Sequence, residues 1–265
     1  MKRSMKRLAS LVAAFVCAGV VAALFFIGCC TPESAMFTAV VAVKGEHLVY
    51  APAPRVMYVP GWLKCHAPRS ETIASLKDAY PECESAPLYY DWDGNGTWSA
   101  SLAEADKEAV RFAEYLAEWP SAARSDLTVV GHSLGARIVI KAAAILASRG
   151  LQVGEIVALA AAMPADDPSL GDAAKASMRP MTVMCNPNDF TLKRLYGIMG
   201  GESAKALGLA GPPGPVENCR IVVVDGDIAG KTDVKAGWGN FDTFKRIALH
   251  HALFYIEQLK IERSQ

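Results

Sequence analysis

The pentapeptide GHSLG places Ser133 between Gly131 and Gly135, directly after an aliphatic run at residues 127–130. Glycines at these positions suit a sharp turn between a strand and a helix, because side chains there would collide with the neighbouring strand and helix. The segment that follows is rich in helix-forming residues as far as Gly150. The pattern predicts a nucleophile elbow, a turn that lifts the Ser133 hydroxyl clear of the sheet.

A serine hydroxyl is a weak nucleophile at neutral pH, so the elbow needs a base within hydrogen-bond reach and an acid that orients the base. In enzymes with this elbow, the acid follows the serine along the chain and the base comes last. Asp189 suits the acid, because it follows the strand-like run MTVMC in a polar turn at the carboxyl edge of the predicted sheet. The alternatives are Asp166 and Asp167 after the preceding strand, while Asp225 and Asp227 are less favoured.

The base must be one of five histidines, and their order along the chain separates them. His47 and His66 precede the serine, and His132 lies inside the elbow. His250 and His251 follow the last strand-like run, at the start of the final predicted helix, where the chain order requires the base. We favour His251 as the base and keep His250 as the alternative.

The oxyanion of a tetrahedral intermediate needs two backbone N–H donors. One is expected from Leu134, the residue after the nucleophile. The other is expected from Trp62, because the turn PGW follows an early strand-like run and Gly61 permits close approach of the backbone.

Strand-like runs alternate with helical patterns along most of the chain. This alternation predicts an α/β domain with a mainly parallel central sheet and helices on both faces. Strands are predicted at residues 48–50, 55–59, 88–90, 127–130, 156–160, 181–184 and 220–224. Helices are predicted at residues 101–118 and 252–261, and from a cap at Ser70 through Leu76.

The first 29 residues predict export. A basic start is followed by an uncharged apolar run at residues 8–27 and then by Gly28 and Cys29, which together have the form of a secretory signal. Residues 26–29 are similar to a bacterial lipobox, so we favour a lipoprotein with lipid on Cys29. One alternative is a single transmembrane anchor, since about 20 apolar residues span a bilayer, and the other is ordinary cleavage of the signal. We expect a signal or anchor at 1–29, a linker at 30–46 and the α/β domain at 47–265.

Charge and cysteine spacing argue against several other classes. The chain of 265 residues has 27 basic and 27 acidic side chains, so no nucleic-acid partner is expected. Cys65 and Cys83 bracket a predicted helix and are candidates for a disulfide, whereas Cys185 and Cys219 lie in apolar strands as small hydrophobic residues. No cysteine pair has CxxC spacing, so we expect no metal site, and the predicted chemistry needs no cofactor.

The elbow GHSLG, the early turn VPGW and the segments NPND and LHHALFY together resemble the α/β-hydrolase superfamily, over nearly all of the chain from Leu48. Proline stands in VPGW where many members have histidine. The resemblance implies acyl transfer to water through an acyl-serine intermediate.

We therefore expect a serine hydrolase that cleaves carboxylic esters, including lipid esters supplied at a membrane. An acyltransferase or a peptidase on the same scaffold is an alternative, because the pocket rather than the fold decides the acceptor. A membrane-tethered binding protein with a non-functional triad is the alternative outside enzymes.

Overall fold

Six strands form one sheet in the computed structural model, which describes residues 55–62, 69–196, 205–224 and 251–265. All the pairs of neighbouring strands in this sheet are parallel. The spatial order is β2-β1-β3-β4-β5-β6, with β1 at Arg55–Val59, β2 at Leu88–Tyr89, β3 at Leu127–His132, β4 at Glu155–Leu159, β5 at Met181–Cys185 and β6 at Cys219–Val223. The strand predicted at 48–50 lies outside the described residues.

The described helices are α1 (Arg69–Ala79), α2 (Trp98–Ala117), α3 (Ser121–Ser125), α4 (Leu134–Ser148), α5 (Ser169–Lys175), α6 (Leu207–Ala210) and α7 (Ala252–Ser264), with a π-helix at Thr191–Tyr196. Helix α2 begins three residues before its predicted start, because the Thr97 hydroxyl oxygen accepts the Ala100 N–H at 3.4 Å and caps the helix there. The predicted cap at Ser70 is wrong, since α1 already includes Arg69.

The helices lie in two layers, one on each face of the sheet. The chain passes from β1 to β2 in one direction, and then from β2 through β3 and β4 to β5 in the other. Right-handed connections therefore place α1 on one face and α2, α4 and α5 on the other. The packing agrees, because α4 contacts both α2 and α5, while α7 contacts α1. The predicted α/β class with a parallel sheet is confirmed.

The reversal of direction falls between β1 and β3. Their connections leave towards opposite faces, so a crevice opens outside the carboxyl ends of these two strands, where ligands bind in open α/β sheets. Residue pairing from Arg55 opposite Leu127 to Val59 opposite Gly131 aligns the two ends. The turn at Gly61 is thereby brought level with Ser133.

Helix α4 lies in the centre of the core, and ten of its fifteen residues are buried. Its one buried charge, Arg137, is paired with Asp106 of α2 through Nε–Oδ1 and Nη2–Oδ2 distances of 2.8 and 3.1 Å. Lys141 Nζ donates to the same carboxylate at 2.7 Å. A guanidinium can be buried here because both oxygens of Asp106 satisfy it.

Candidate active site

Ser133 stands between β3 and α4 with a backbone conformation that few residues other than glycine adopt, at φ 54 and ψ −119. Such a conformation typically costs about 1 to 3 kcal/mol and persists only where the surroundings hold it. The Ser133 N–H donates to the Leu159 carbonyl at 2.9 Å, and the Ser133 carbonyl accepts the N–H of Ala136 and of Ala162, each at 3.1 Å. The serine is therefore held from its own helix and from β4 and the loop after it.

Neither Gly131 nor Gly135 has room for a side chain. A Cβ atom at Gly131 would lie 2.6 Å from the Ala136 Cα atom. At Gly135 it would lie 2.1 Å from the Val59 carbonyl oxygen of β1. The first turn of α4 thus packs directly on β3 and β1. This close packing is the reason for which the sequence analysis expected glycine at both positions.

The turn after β1 touches the serine itself. A Cβ atom at Gly61 would lie 2.8 Å from the Cβ of Ser133, so the next residue, Trp62, begins within reach of the elbow. Leu134 is the first residue of α4, so its N–H has no partner within the helix. Among the described residues, neither this N–H nor that of Trp62 donates to a backbone carbonyl.

Asp189 lies four residues beyond β5 and is completely buried. Its Oδ1 accepts the Leu192 N–H at 3.0 Å, and its Oδ2 accepts the hydroxyl of Tyr255 at 3.0 Å. The Asp189 N–H donates to the Asn186 carbonyl at 3.0 Å and closes the turn. A buried carboxylate is tolerated when donors satisfy it, and each oxygen of Asp189 has one here.

Tyr255 lies in the final predicted helix, and the sequence analysis gave it no role at the site. Burial raises the pKa of its hydroxyl well above the ordinary value, and the charge of Asp189 and the hydrogen bond to it raise the pKa further. Tyr255 therefore stays protonated and acts as a donor. The signal was its position four residues after His251, which places both on one side of α7.

His251 caps α7, and its Nδ1 accepts the Leu253 N–H at 3.4 Å. The same first turn of α7 carries the Tyr255 hydroxyl on Asp189. The helix thus brings His251 to the carboxyl edge of the sheet, on the side of the predicted acid. His250 lies outside the described residues.

The alternative acids have other surroundings. Asp167 Oδ1 accepts the N–H of Ser169 at 3.0 Å and also its hydroxyl, so this carboxylate is engaged by the first residue of α5. Asp166 is exposed in the same turn. Asp225 and Asp227 lie outside the described residues.

An aromatic group covers the turn that carries Trp62, and the sequence analysis did not find it. The Trp62 indole N–H donates to the Gly96 carbonyl at 2.8 Å, and the Trp92 indole donates to the Pro60 carbonyl at 2.7 Å. The Trp98 ring meets the Trp62 ring edge-on, with centroids 5.4 Å apart. The only local signal was the aromatic and glycine content of DWDGNGTW, because its partners are more than thirty residues away.

The described cysteines differ in how deeply they are buried. Cys185 is buried, and burial raises the pKa of its thiol, which fits the prediction of a small hydrophobic residue. Cys219 is partly buried, and burial raises the pKa of its thiol to about 11. Cys83 is a buried free thiol, while Cys65 and Cys29 lie outside the described residues.

Among the described helices, none is long and apolar enough to cross a membrane.

No protein-family model and no curated protein matches the chain. Among solved structures, the chain is similar to an esterase of Pyrobaculum calidifontis, with 13% identity, a TM-score of 0.40 and coverage of 80% of this chain and 76% of that one. It is similar to TT1662 from Thermus thermophilus, with 15% identity, a TM-score of 0.39 and coverage of 78% and 90%. A third is YbtT, a type II thioesterase of the yersiniabactin pathway, with 12% identity, a TM-score of 0.35 and coverage of 77% and 95%. Likenesses this loose transfer no function to the chain.

Proposed function

We propose that this chain is a serine hydrolase of the α/β-hydrolase superfamily that cleaves carboxylic esters. The observation that carries the proposal is the held, strained backbone of Ser133, in contact with the Gly61 turn, at the point where the sheet reverses direction. Strain of this kind is typical of functional sites, and the residues that follow Ser133 and Gly61 are the two proposed oxyanion donors.

In the proposed mechanism, the Ser133 oxygen forms a bond to the ester carbonyl carbon while its proton passes to His251, or to the alternative His250. The N–H groups of Trp62 and Leu134 stabilise the resulting oxyanion. The intermediate expels the alcohol, which takes the proton from the histidine. Asp189 stabilises the imidazolium while it exists.

Water completes the reaction. The histidine takes a proton from a water molecule, whose oxygen bonds to the acyl carbon, and Ser133 leaves with that proton as the carboxylic acid departs. The cycle consumes one ester and one water and needs no cofactor. Supporting this assignment of roles, Leu192 and Tyr255 each donate a hydrogen bond to one oxygen of Asp189 and hold its side chain in place.

Replacing Ser133 tests the proposal. Ser133→Ala should lower kcat about 10⁴- to 10⁶-fold on p-nitrophenyl butyrate and abolish labelling by a fluorophosphonate probe, because no other group supplies the nucleophile. Ser148→Ala, at the far and exposed end of α4, is the matched control and should keep both. A folded Ser133→Ala protein with a tenth of wild-type turnover, or wild-type protein that the probe never labels, would refute the assignment.

The substrate range follows from p-nitrophenyl esters of increasing acyl length. We expect lipid esters within that range, since the enzyme is proposed to work at a membrane. Turnover confined to the shortest acyl chains would exclude lipid esters as substrates.

We also propose that the chain is exported and tethered to a membrane through lipid on Cys29. The basis is the sequence pattern of residues 1–29. Cys29→Ala should abolish incorporation of radioactive palmitate and release the protein from the membrane fraction. Full retention of the variant in membranes would favour the transmembrane anchor instead.

A further inference from the structure

Two buried polar groups beside the candidate site lack hydrogen-bond partners among the described residues, namely the indole N–H of Trp98 and the hydroxyl of Ser101. Trp98 is 9% exposed and Ser101 is 1% exposed. A buried donor without a partner loses its hydration and gains nothing in return, so native chains contain few of them. Two such groups in one place need an explanation.

The two groups lie together. Trp98 and Ser101 are one turn apart on the buried side of α2, where side chains three residues apart are neighbours. A Cβ atom at Gly96 would lie 3.5 Å from the Ser101 oxygen, and the carbonyl of Gly96 accepts the indole N–H of Trp62. The unpaired groups therefore lie beside the turn proposed to supply an oxyanion donor.

Trp98 also reaches the other side of the site. Its ring meets Tyr196 edge-on, with centroids 6.2 Å apart, and Tyr196 ends the π-helix that starts two residues after Asp189. Trp98 thus lies between the Trp62 turn and the segment that follows the proposed acid. The two unpaired groups therefore lie next to two elements of the proposed site, the Trp62 turn and the segment after Asp189.

We propose that Trp98, assisted by Ser101, binds an additional oxygen atom of the substrate and makes the site selective for esters that carry one. The preferred substrates are then esters with an ether, hydroxyl or carbonyl oxygen near the scissile bond, rather than plain alkyl esters. This inference rests on the proposed ester hydrolysis. A plain alkyl group leaves the indole N–H unpaired in the complex, whereas an oxygen at that position accepts it.

Two matched substrate pairs test the proposal and locate the oxygen. For the acyl side, p-nitrophenyl methoxyacetate is compared with p-nitrophenyl butyrate, and for the alcohol side, 2-methoxyethyl acetate is compared with butyl acetate. Each pair exchanges one methylene for an ether oxygen. The preference, defined as the ratio of the two kcat/KM values, should fall about tenfold in Trp98→Phe relative to wild type for one of the pairs. Taking the ratio between variants cancels the intrinsic reactivity of the esters.

The control is Trp119→Phe, which changes another buried tryptophan just beyond the far end of α2 and should leave both ratios unchanged. Unchanged ratios in Trp98→Phe would overturn the selectivity proposal while ester hydrolysis stands. Absence of Ser133-dependent turnover of any ester by wild-type protein would overturn both.

A second measurement needs no variant at position 98. Wild-type protein with ¹⁵N-labelled tryptophan is bound at Ser133 by a phosphonate that carries a methoxymethyl group, or by its propyl counterpart. We expect the Trp98 indole N–H resonance to move downfield only with the methoxymethyl compound, because only that compound offers an acceptor. The same resonance position in both adducts would overturn the proposal, whether or not Trp98→Phe folds.

Discussion

The two edges of the sheet differ in how one buried polar group at each edge is satisfied. At the amino edge, Glu155 begins β4 almost buried and accepts hydrogen bonds or ion pairs from Arg179 and Arg263, each at 3.4 Å. Arg179 also donates to the Thr128 hydroxyl at 3.1 Å. At the carboxyl edge, by contrast, the indole N–H of Trp98 has no partner among the described residues.

The difference separates stability from chemistry. Pairing a buried carboxylate with two guanidinium groups satisfies it in the folded chain and leaves nothing to bind a ligand. Unpaired donors and a strained serine lower stability, and they become useful only when a substrate supplies the missing contacts. Substitutions at the carboxyl edge should therefore change catalysis, and those at the amino edge should change stability.

After Ser133→Ala, the largest effect is expected from Asp189→Asn. The amide keeps the volume but cannot stabilise an imidazolium, so kcat should fall about 10⁴-fold in steady-state ester hydrolysis. Asp167→Asn is the matched control and should keep activity near wild type, because the Asp167 carboxylate binds Ser169 at the start of α5. Loss of activity in Asp167→Asn but not in Asp189→Asn would instead assign the role of the acid to Asp167, in the turn after β4.

Gly61→Ala should have the next largest effect. Its Cβ would lie 2.8 Å from that of Ser133, so either the turn or the serine must shift, and a displacement of about 1 Å at a reacting group can cost about 10² in rate. Gly171→Ala is the control, since it meets nothing within 4 Å. Full activity of Gly61→Ala in ester hydrolysis would show that the turn does not take part in the site.

At the amino edge, Glu155→Gln should lower the free energy of unfolding by about 2 kcal/mol, because two guanidinium groups lose their charged partner. The activity of the folded protein should remain at the wild-type value. Urea unfolding and kcat/KM measured on the same sample check both statements. A large loss of activity with little loss of stability would contradict the division between the two edges.

The smallest effect concerns the charge cluster between α2 and α4, away from both edges. Burial alone would raise the pKa of Asp106, but the hydrogen bonds and charges of Arg137 and Lys141 lower the pKa below its usual value. A carboxylate with a depressed pKa stabilises the fold above its unfolded pKa of about 4 and loses that contribution as the pH falls through the folded value. The stability difference between wild type and Asp106→Asn should therefore be present at neutral pH and shrink below about pH 4 in urea titrations. A stability difference that grows as the pH falls below about 4 would contradict the lowered pKa of Asp106.

The sequence predicted local features of the fold closely, but it did not predict contacts between residues that are distant along the chain. β1 matches its predicted bounds, because an apolar run closed by a proline turn defines it without help from elsewhere. β4 ends at Leu159 rather than at the predicted Ala160, because Ala160 takes a left-handed backbone at φ 47. A hydrophobic pattern does not reveal such a conformation at an alanine.

The candidate site shows the same limit. The elbow glycines were predictable, since their cause is the turn itself. The hydrogen bond from Tyr255 to Asp189 joins residues 66 positions apart, and that from Trp62 to Gly96 joins residues 34 positions apart. Helical periodicity marks Tyr255 as buried, but it does not say which polar group its hydroxyl meets.

Helix α7 extends from the carboxyl edge of the sheet to the amino edge. Its last turn is fixed by Arg263, which donates to the Ala79 carbonyl at 3.1 Å and lies 4.0 Å from the centre of the Tyr80 ring. Its first turn carries Tyr255 about 12 Å away, and its cap His251 lies about 18 Å away, at about 1.5 Å of rise per residue. A slip of one residue along this axis would displace the proposed base by about 1.5 Å, which is enough to uncouple it from the serine. The contacts of Arg263 therefore fix the position of α7 along its axis, and with it the position of the proposed base relative to Ser133.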